Sequence, residues 1–166
     1  MRLAIASDLH DNLFNLDIFL NWLKQENISV ILFCGDATRE DTLAYLSSHF
    51  AGTVHLVEGN AETYQTKNLN KYPNLKDYGR DAYLKLGNLK ILATHKKTDL
   101  PDARQKIHQT LDFIFYGHSH KPWLEKDDQT IIANPGNLAN IGYSATWSVL
   151  DTYSKNLELK LLSDIA

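Results

Sequence analysis

Short runs of consecutive apolar residues recur along this chain, and the clearest of them end at a glycine followed by a polar side chain. Residues 30–34 lead directly into Gly35-Asp36, and residues 113–116 lead into Gly117-His118. An unbroken apolar run of this length is expected of a strand that is buried on both faces. The pattern therefore predicts sheets with another layer packed on each side, and it places polar side chains just past the strand ends.

The remaining pattern predicts an α/β fold. Leucines at helical spacing predict a helix over residues 12–27, with Asp11 or Asn12 as its N-cap. Further helices are predicted over residues 40–50 and 101–109, and strands over residues 3–6, 30–34, 53–57, 82–86, 89–94, 113–116, 130–133, 146–151 and 156–162. Gly87-Asn88 is typical of a hairpin turn, and residues 62–81 are predicted to form a short helix or a loop over one sheet edge. Strand–helix alternation followed by hairpins favours two packed sheets with helices outside.

The size and charge of the chain limit the classes of function it can have. Its 166 residues, 43% hydrophobic and 22% charged, fit one globular domain over residues 1–166. A net charge of −3 and a pI of about 6.1 argue against binding to long nucleic acid, which needs a basic surface. No apolar stretch approaches the ~20 residues of a membrane span, so no membrane association is predicted.

The single cysteine, Cys34, lies inside an apolar run. One cysteine cannot form an internal disulfide, and its apolar neighbours indicate a buried thiol rather than a metal ligand or a nucleophile. A chain of this kind suits the reducing cytosol, so a cytoplasmic location is predicted.

Polar side chains able to bind a metal follow five of the predicted strands. They are Asp8, His10, Asp36, Asn60, His95, His118 and His120. Ligands in open α/β sheets gather at the carboxyl ends of strands, so these side chains are expected to meet. Carboxylate, imidazole and amide donors together suit two divalent cations of intermediate hardness, an arrangement that clamps phosphate and activates water.

Taken singly, most of these positions have an ordinary structural explanation. Asp36 after a glycine is more often a turn residue or a helix cap, and a lone histidine such as His95 at a strand end is usually structural or solvated. The strongest single motif is Gly117-His118-Ser119-His120, because burying two unpaired imidazoles side by side would be costly without a metal. The case for a metal centre therefore depends on the whole set lying in equivalent places.

The ordered motifs resemble those of the calcineurin-like metallophosphoesterase superfamily. They are Asp8-x-His10, Gly35-Asp36, Gly59-Asn60, His95 and Gly117-His118-x-His120. The short length and the late Asn134-Pro135-Gly136-Asn137 look like the small single-domain phosphodiesterase branch, to which the retromer metallophosphoesterase-like subunit is related in fold. The resemblance covers residues 3–151 and implies a four-layer α/β/β/α sandwich.

Carried over position by position, the resemblance implies two metal ions. Asp8, His10 and His120 would bind the first metal, Asn60, His95 and His118 the second, and Asp36 would bridge both. Asn12 would contact substrate phosphate. The chemistry implied is hydrolysis of a small phosphodiester through attack by a metal-bound hydroxide. We expect Mn²⁺ first, with Fe²⁺, Ni²⁺, Zn²⁺ and Co²⁺ as alternatives.

Two places depart from the motifs of the family. Relatives often carry a histidine after Gly-Asn that can act as a general acid, but here Ala61 stands there and supplies no proton. Glu62 follows it, and this residue either orients a ligand histidine or is an ordinary acid at a helix N-terminus. At the second-metal strand a Gly and a second His are replaced by Lys96-Lys97, so Lys97 is either a cation for substrate phosphate or a solvated lysine.

Three functions are compatible with these residues. The first is the phosphodiesterase. The second is a phosphomonoesterase on the same site, which Ala61 disfavours because monoesters with poor leaving groups need an acid nearby. The third is a non-catalytic protein-interaction scaffold like the retromer subunit, which degraded ligand positions would favour. The expected partner is a small phosphorylated substrate, and an exposed sheet edge leaves a homodimer open.

Several residues outside the motifs are expected to be structural. His49, His55 and His108 are interpreted as surface or partly buried histidines. Trp123 either packs against its neighbours or stacks on a nucleobase at the rim of the site. Residues 134–136 are predicted to shape a tight loop under the histidine pair, and residues 125–128 a solvated hairpin turn.

Overall fold

The computed structural model describes residues 1–165, which form eleven strands and three α-helices. The strands are β1 (Arg2–Ala6), β2 (Val30–Phe33), β3 (Thr53–Leu56), β4 (Leu75–Asp77), β5 (Asp81–Leu86), β6 (Leu89–Thr94), β7 (Phe113–Phe115), β8 (Trp123–Asp127), β9 (Thr130–Asn134), β10 (Thr146–Asp151) and β11 (Leu157–Leu161). The helices are α1 (Leu13–Gln25), α2 (Glu40–His49) and α3 (Leu100–Gln105). Short 3₁₀ turns lie at Thr66–Lys71, Lys97–Asp99 and Leu162–Asp164.

Two sheets of mixed direction organise these strands. The first sheet has the order β11-β10-β1-β2-β3-β4, and the second has the order β5-β6-β7-β9-β8. Strands β1 to β4 are mutually parallel, as are β6, β7 and β9. The loops that follow β1, β2, β3, β6 and β7 carry all seven candidate ligands, so strand direction gathers these loops at the carboxyl ends.

Three apolar clusters separate four layers. Side chains alternate between the two faces of a strand, so neighbouring residues of one strand enter different clusters. In β2, Phe33 packs towards α1 and α2, whereas Leu32 packs between the sheets against residues such as Phe113. On the far face of the second sheet, Ile114 packs against Ala103 of α3. This stacking confirms the predicted four-layer α/β/β/α sandwich.

Two residues of the loop after β1 bind the N-terminal ends of α1 and α2. The Asn12 side chain accepts a hydrogen bond from the backbone N–H of Asn15 at 3.1 Å, so Asn12 is the N-cap of α1, as one of the two predictions had it. The Asp11 carboxylate accepts bonds from the backbone N–H of Arg39 and the hydroxyl of Thr42 at the start of α2. A single loop therefore positions both helices and carries part of the site.

The structure corrects the sequence prediction in three places. The helix predicted over residues 101–109 ends at Gln105, and residues 62–81 contain a 3₁₀ turn and an additional short strand, β4. Residues 125–127 belong to strand β8 rather than to a hairpin turn. Both missed strands lie at the edge of a sheet, where few side chains are buried and the apolar pattern is weak.

Across residues 1–165, no helix combines the length and the apolar character that crossing a membrane requires.

Candidate metal centre

The loops that carry the candidate ligands are tied to one another by backbone hydrogen bonds. The N–H of Asp8 donates to the carbonyl of Gly35 at 3.0 Å, and the N–H of His10 donates to the carbonyl of Asp36 at 3.0 Å. The backbone N–H of His118 donates to Oδ2 of Asp8 at 2.9 Å. The loops after β1, β2 and β7 are therefore held in fixed register by their own polar groups.

Five of the candidate ligands have left-handed backbone conformations. Their φ angles are 53° for Asp8, 45° for His10, 59° for Asp36, 66° for His118 and 59° for His120. This region costs a residue other than glycine roughly 1–2 kcal/mol, so its recurrence here has to be held by the surrounding structure. Strained conformations cluster at functional sites, and these five aim their side chains into one volume.

The first ligand group contains Asp8, His10 and His120. Nε2 of His10 lies 3.1 Å from Nε2 of His120, which lies 3.4 Å from Oδ1 of Asp8. One ligand atom from each of the three residues lies within 4.8 Å of the other two. Asp8 is fully buried, whereas the two imidazoles are partly open to solvent.

The second ligand group contains Asp36, His95 and His118, whose ligand atoms also lie within 4.8 Å of one another. Nε2 of His95 is 3.3 Å from Oδ2 of Asp36. The same Oδ2 atom lies 3.8 Å from Nε2 of His10 in the first group. Asp36 therefore stands where the two groups meet, and the structure brings together six of the seven predicted ligands around it.

The seventh predicted ligand, Asn60, lies beside the second group. Its side chain is exposed and lines a cavity of about 210 Å³ together with His95. Lys96 and Arg80 also line this cavity, and the guanidinium of Arg80 pairs with Asp99 at 3.3 Å. Its place at the mouth of the second group is consistent with the predicted ligand role, which stays a prediction.

Hydrogen bonds at the far ring nitrogen fix the tautomer of two histidines. Nδ1 of His95 lies 2.8 Å from the carbonyl oxygen of Cys34, and Nδ1 of His120 lies 3.3 Å from that of Ile141. A carbonyl oxygen can only accept, so Nδ1 carries the proton in both rings and Nε2 keeps its lone pair. Both Nε2 atoms point into the ligand groups, which is the arrangement found in histidines that bind metals.

The electrostatics of the site fit bound cations. Burial raises the pKa of Asp8 above its usual range, because a carboxylate at 0% exposure has lost its water. Burial would also raise the pKa of Asp36, but the neighbouring imidazole of His95 and the bond from the N–H of Ala61 outweigh it and lower the pKa. Nε2 of His95 is buried without a hydrogen-bond partner among the described residues. Two buried carboxylates and an orphaned imidazole nitrogen form a donor set that a divalent cation would satisfy.

Glu62 has a different role from the one predicted. Its carboxylate accepts backbone N–H bonds from Asp36 at 2.8 Å, Ala37 at 3.3 Å, Thr38 at 2.7 Å and Gly59 at 3.2 Å. The prediction that it orients a ligand histidine is therefore wrong. Glu62 binds the turn after β2 to the turn after β3, and it holds the backbone that carries Asp36.

Two glycines allow the loops to approach this closely. A β-carbon on Gly59 would overlap the carboxylate of Asp36, and one on Gly117 would overlap the hydroxyl of Ser7. Glycine is required at both positions because there is no room for a β-carbon, and not because the backbone has unusual dihedral angles. This explains why a glycine precedes Asn60 and His118 in the motifs.

The predicted substrate contacts are engaged in protein contacts in this structure. The amide nitrogen of Asn12 donates to the carbonyl of Ala139 at 3.1 Å. The ammonium of Lys97 forms an ion pair with Glu125 at 2.8 Å. To contact a substrate, Asn12 or Lys97 would have to give up its present partner or bind both at once. Both substrate contacts therefore stay predictions.

The loop after β9 supports the histidine pair, as predicted. The side-chain amide of Asn134 donates to the carbonyl of Gly117 at 2.7 Å, and that of Asn137 donates to the carbonyl of His120 at 3.1 Å. Asn137 was not singled out as a supporting residue, and only its place in the Asn134-Pro135-Gly136-Asn137 motif pointed to it. The buried thiol of Cys34 is confirmed, and burial raises its pKa, which disfavours a thiolate nucleophile.

Comparison with known proteins finds related sequences along most of the chain. The sequence pattern of the calcineurin-like phosphoesterase superfamily domain matches residues 1–155. Phosphodiesterase MJ0936 of Methanocaldococcus jannaschii is 26% identical over 164 residues, covering 93% of this chain and 95% of its own length. The match therefore extends across both sheets and both ligand groups.

Solved structures share the fold at lower identity. A novel archaeal phosphodiesterase superposes with a TM-score of 0.85 at 22% identity, covering 97% of this chain and 99% of its own. Vps29 of Entamoeba histolytica, solved in complex with zinc, superposes with a TM-score of 0.68 at 19% identity, covering 96% and 90%. These likenesses establish the fold.

Proposed function

The chain belongs to the calcineurin-like phosphoesterase superfamily, and on that basis we propose that it hydrolyses small phosphodiesters with the help of two divalent cations. The observation that carries the proposal is the meeting of the two ligand groups at Asp36. Oδ2 of this residue lies 3.3 Å from Nε2 of His95 in one group and 3.8 Å from Nε2 of His10 in the other. A shared carboxylate between two groups of three ligands is the donor arrangement that a two-metal phosphoesterase needs.

The division of ligands follows from the distances. Asp8, His10 and His120 would hold one cation, and Asp36, His95 and His118 would hold the other, with Asn60 at its open side. Two such cations would supply positive charge to the phosphate oxygens and lower the pKa of a bound water towards neutrality. A mixed set of carboxylate and imidazole donors admits Mn²⁺, Fe²⁺, Ni²⁺, Zn²⁺ or Co²⁺, and Mn²⁺ is the metal we propose.

Neighbouring residues of the chain orient the carboxylate of Asp36. The N–H of Ala61 donates to Oδ1 of Asp36 at 2.8 Å, which leaves Oδ2 directed at the two groups. Glu62 fixes the backbone on either side of this carboxylate. A site held by backbone donors in this way keeps its ligands in place before substrate arrives.

The choice of a diester over a monoester depends on the leaving group. Ala61 brings a methyl group where a protonating side chain would otherwise stand, so departure of a poor leaving group gains no help from this position. A small diester with a good leaving group needs no proton from this position. For a poorer leaving group, water would have to deliver the proton. A phosphomonoesterase remains the second candidate, and a non-catalytic scaffold the third, which the intact set of ligand positions disfavours.

The test is hydrolysis of bis(p-nitrophenyl) phosphate in the presence of Mn²⁺, measured beside p-nitrophenyl phosphate and with an EDTA control. We expect chelator-sensitive turnover that is faster for the diester. Asp36→Asn should reduce this turnover by at least about a hundredfold, since it alters the carboxylate shared by both groups. His108→Ala, at an exposed histidine outside both groups, is the matched control and should retain wild-type turnover. Faster turnover of the monoester would favour the second candidate, and no turnover with any divalent metal would favour the scaffold.

A further inference from the structure

A separate cavity lies against the loop that carries two of the candidate ligands. It measures about 320 Å³, and its walls are Lys97, Tyr116, Ser119, Lys121, Trp123 and Tyr143. Ser119 stands between His118 and His120, so the loop that carries these two candidate ligands forms part of the cavity wall. We call it the aromatic pocket, since three of its six residues carry an aromatic ring.

Two of these aromatic side chains are open to solvent. Trp123 is 49% exposed and Tyr143 is 47% exposed. The other two tryptophans, Trp22 and Trp147, pack against each other with ring centroids 5.3 Å apart, and Trp147 is fully buried. Trp123 is therefore only half covered by the protein, and the alternative that it stacks on a ligand stays open. Large aromatic faces left open beside a candidate active site are typical of a stacking surface for a planar ligand.

Polar contacts hold the indole ring in place. Nε1 of Trp123 donates to the carboxylate of Glu125 at 3.1 Å, and the same carboxylate pairs with Nζ of Lys97 at 2.8 Å. Nζ of Lys121 lies 5.3 Å from the centre of the Trp123 ring. The indole ring thus has a polar partner at its N–H, and a cation lies next to its aromatic face.

Two asparagines link residues of the pocket to the histidine loop. The side-chain amide of Asn137 donates both to the carbonyl of His120 at 3.1 Å and to the carbonyl of Tyr143 at 3.3 Å. The amide of Asn134 donates to the hydroxyl of Ser119 at 3.1 Å. Two asparagines therefore couple the position of residues in the aromatic pocket to the position of the histidine loop.

We propose that the aromatic pocket binds a nucleobase and that the substrate is a phosphodiester with one nucleoside arm. This rests on the proposed function and names its substrate class. Trp123 and Tyr143 stack on the planar base, and Lys121 adds positive charge for the attached phosphate. A volume of about 320 Å³ suits one base rather than a polymer, which agrees with the net charge of −3.

Equilibrium binding tests the pocket without any turnover. Tryptophan fluorescence is titrated with thymidine 5′-monophosphate and, separately, with 2-deoxyribose 5-phosphate, which lacks the base. Because Trp147 is buried and Trp22 is partly covered, quenching reports mainly on Trp123. We expect saturable quenching by the nucleotide alone. Quenching that is equal for both ligands, or absent for both, would overturn the proposal.

Variants locate the binding site. Tyr143→Ala should weaken nucleotide binding about tenfold, in line with the loss of one stacking surface. Tyr153→Ala removes a tyrosine that is 94% exposed and lies outside the pocket, and it should bind as the wild type does. Equal affinity of these two variants would place the nucleotide elsewhere and refute the pocket.

Kinetics with two esters of the same leaving group tests the substrate class. p-Nitrophenyl thymidine 5′-phosphate carries a nucleoside arm, whereas p-nitrophenyl ethyl phosphate does not. Trp123→Ala should raise the KM of the nucleoside ester about tenfold and leave the ethyl ester unchanged, while Trp123→Phe should restore most of the loss. An equal change for both esters would overturn the proposal. If neither ester is hydrolysed, the proposed function has failed, and the fluorescence titration still decides whether the pocket binds a base.

Discussion

The contact most open to quantitative test is the carboxylate of Glu62. It accepts four backbone N–H bonds, and the two shortest come from Asp36 at 2.8 Å and Thr38 at 2.7 Å. A hydrogen bond to a charged group contributes about 1.5–3 kcal/mol. The carboxylate is partly buried, and this burial raises the pKa of Glu62, so part of the gain offsets its lost hydration.

From these terms, Glu62→Ala should reduce the free energy of unfolding by about 2–3 kcal/mol, counting the two short bonds and discounting for hydration. For a protein of this size that corresponds to a decrease in Tm of roughly 5–10 °C. Glu62→Gln keeps one acceptor oxygen and should lose about half as much. Urea denaturation in the presence of EDTA measures the loss without interference from bound metal.

The same change should weaken metal binding, because the freed backbone carries Asp36. Supporting residues of this kind typically contribute 10–100-fold to affinity, so we expect Mn²⁺ binding to Glu62→Ala to fall by roughly that factor. The control is Glu158→Ala, which removes an exposed carboxylate paired with Lys160 at 2.8 Å and should leave the stability close to that of the wild type. If the two alanine variants lose the same stability and bind Mn²⁺ equally well, the role assigned to Glu62 is refuted.

Three further outcomes are expected. Gly59→Ala places a methyl group into the carboxylate of Asp36, so it should cost about 1–3 kcal/mol and most of the diesterase activity, and wild-type turnover would contradict the packing. His120→Ala should retain one Mn²⁺ per chain after dialysis, whereas His108→Ala should retain two, and identical metal contents would remove His120 from the ligand set. Cys34→Ser buries a hydroxyl in the core between the sheets and should cost about 1–3 kcal/mol with kcat unchanged; a folded, metal-loaded but inactive variant would overturn the buried-thiol role.

Strands buried on both faces were the most predictable part of the fold. Residues 30–34 and 113–116 each form a continuous apolar run of strand length that ends at a glycine, as expected of a strand buried on two faces. Their ends are also where the polar ligands lie, so the place of His118 follows from the same pattern. The helix over α1 was equally clear, because its leucines repeat at helical spacing and Asn12 can cap it.

The edges of the sheets were less predictable because pairing, and not side-chain pattern, stabilises them. In β4 only Leu75 is buried, and the strand exists because it pairs with β3 in parallel. Strand β8 has mostly exposed and charged side chains, as edge strands often do. The predicted helix over residues 101–109 ends early because Leu100 and Ala103 supply its buried contacts and the following turn has none of comparable burial.

Within the site, the ligand types could be predicted but their supporting contacts could not. A motif gives the residue at a position, yet the bonds from Glu62 join turns that are more than twenty residues apart. Likewise, the ion pair of Lys97 with Glu125 joins a 3₁₀ turn to an edge strand that the sequence did not reveal. Contacts of this kind depend on the register of two sheets, which no local pattern encodes.

The most direct test of the central claim is the number of metal ions bound per chain. The protein is dialysed to equilibrium against Mn²⁺, and protein-bound manganese is measured by mass spectrometry together with the protein concentration. Two groups of three ligands that meet at Asp36 predict two ions per chain, and fewer than one in Asp36→Asn. One ion or none in the wild-type protein, or an unchanged count in Asp36→Asn, would contradict a dinuclear centre.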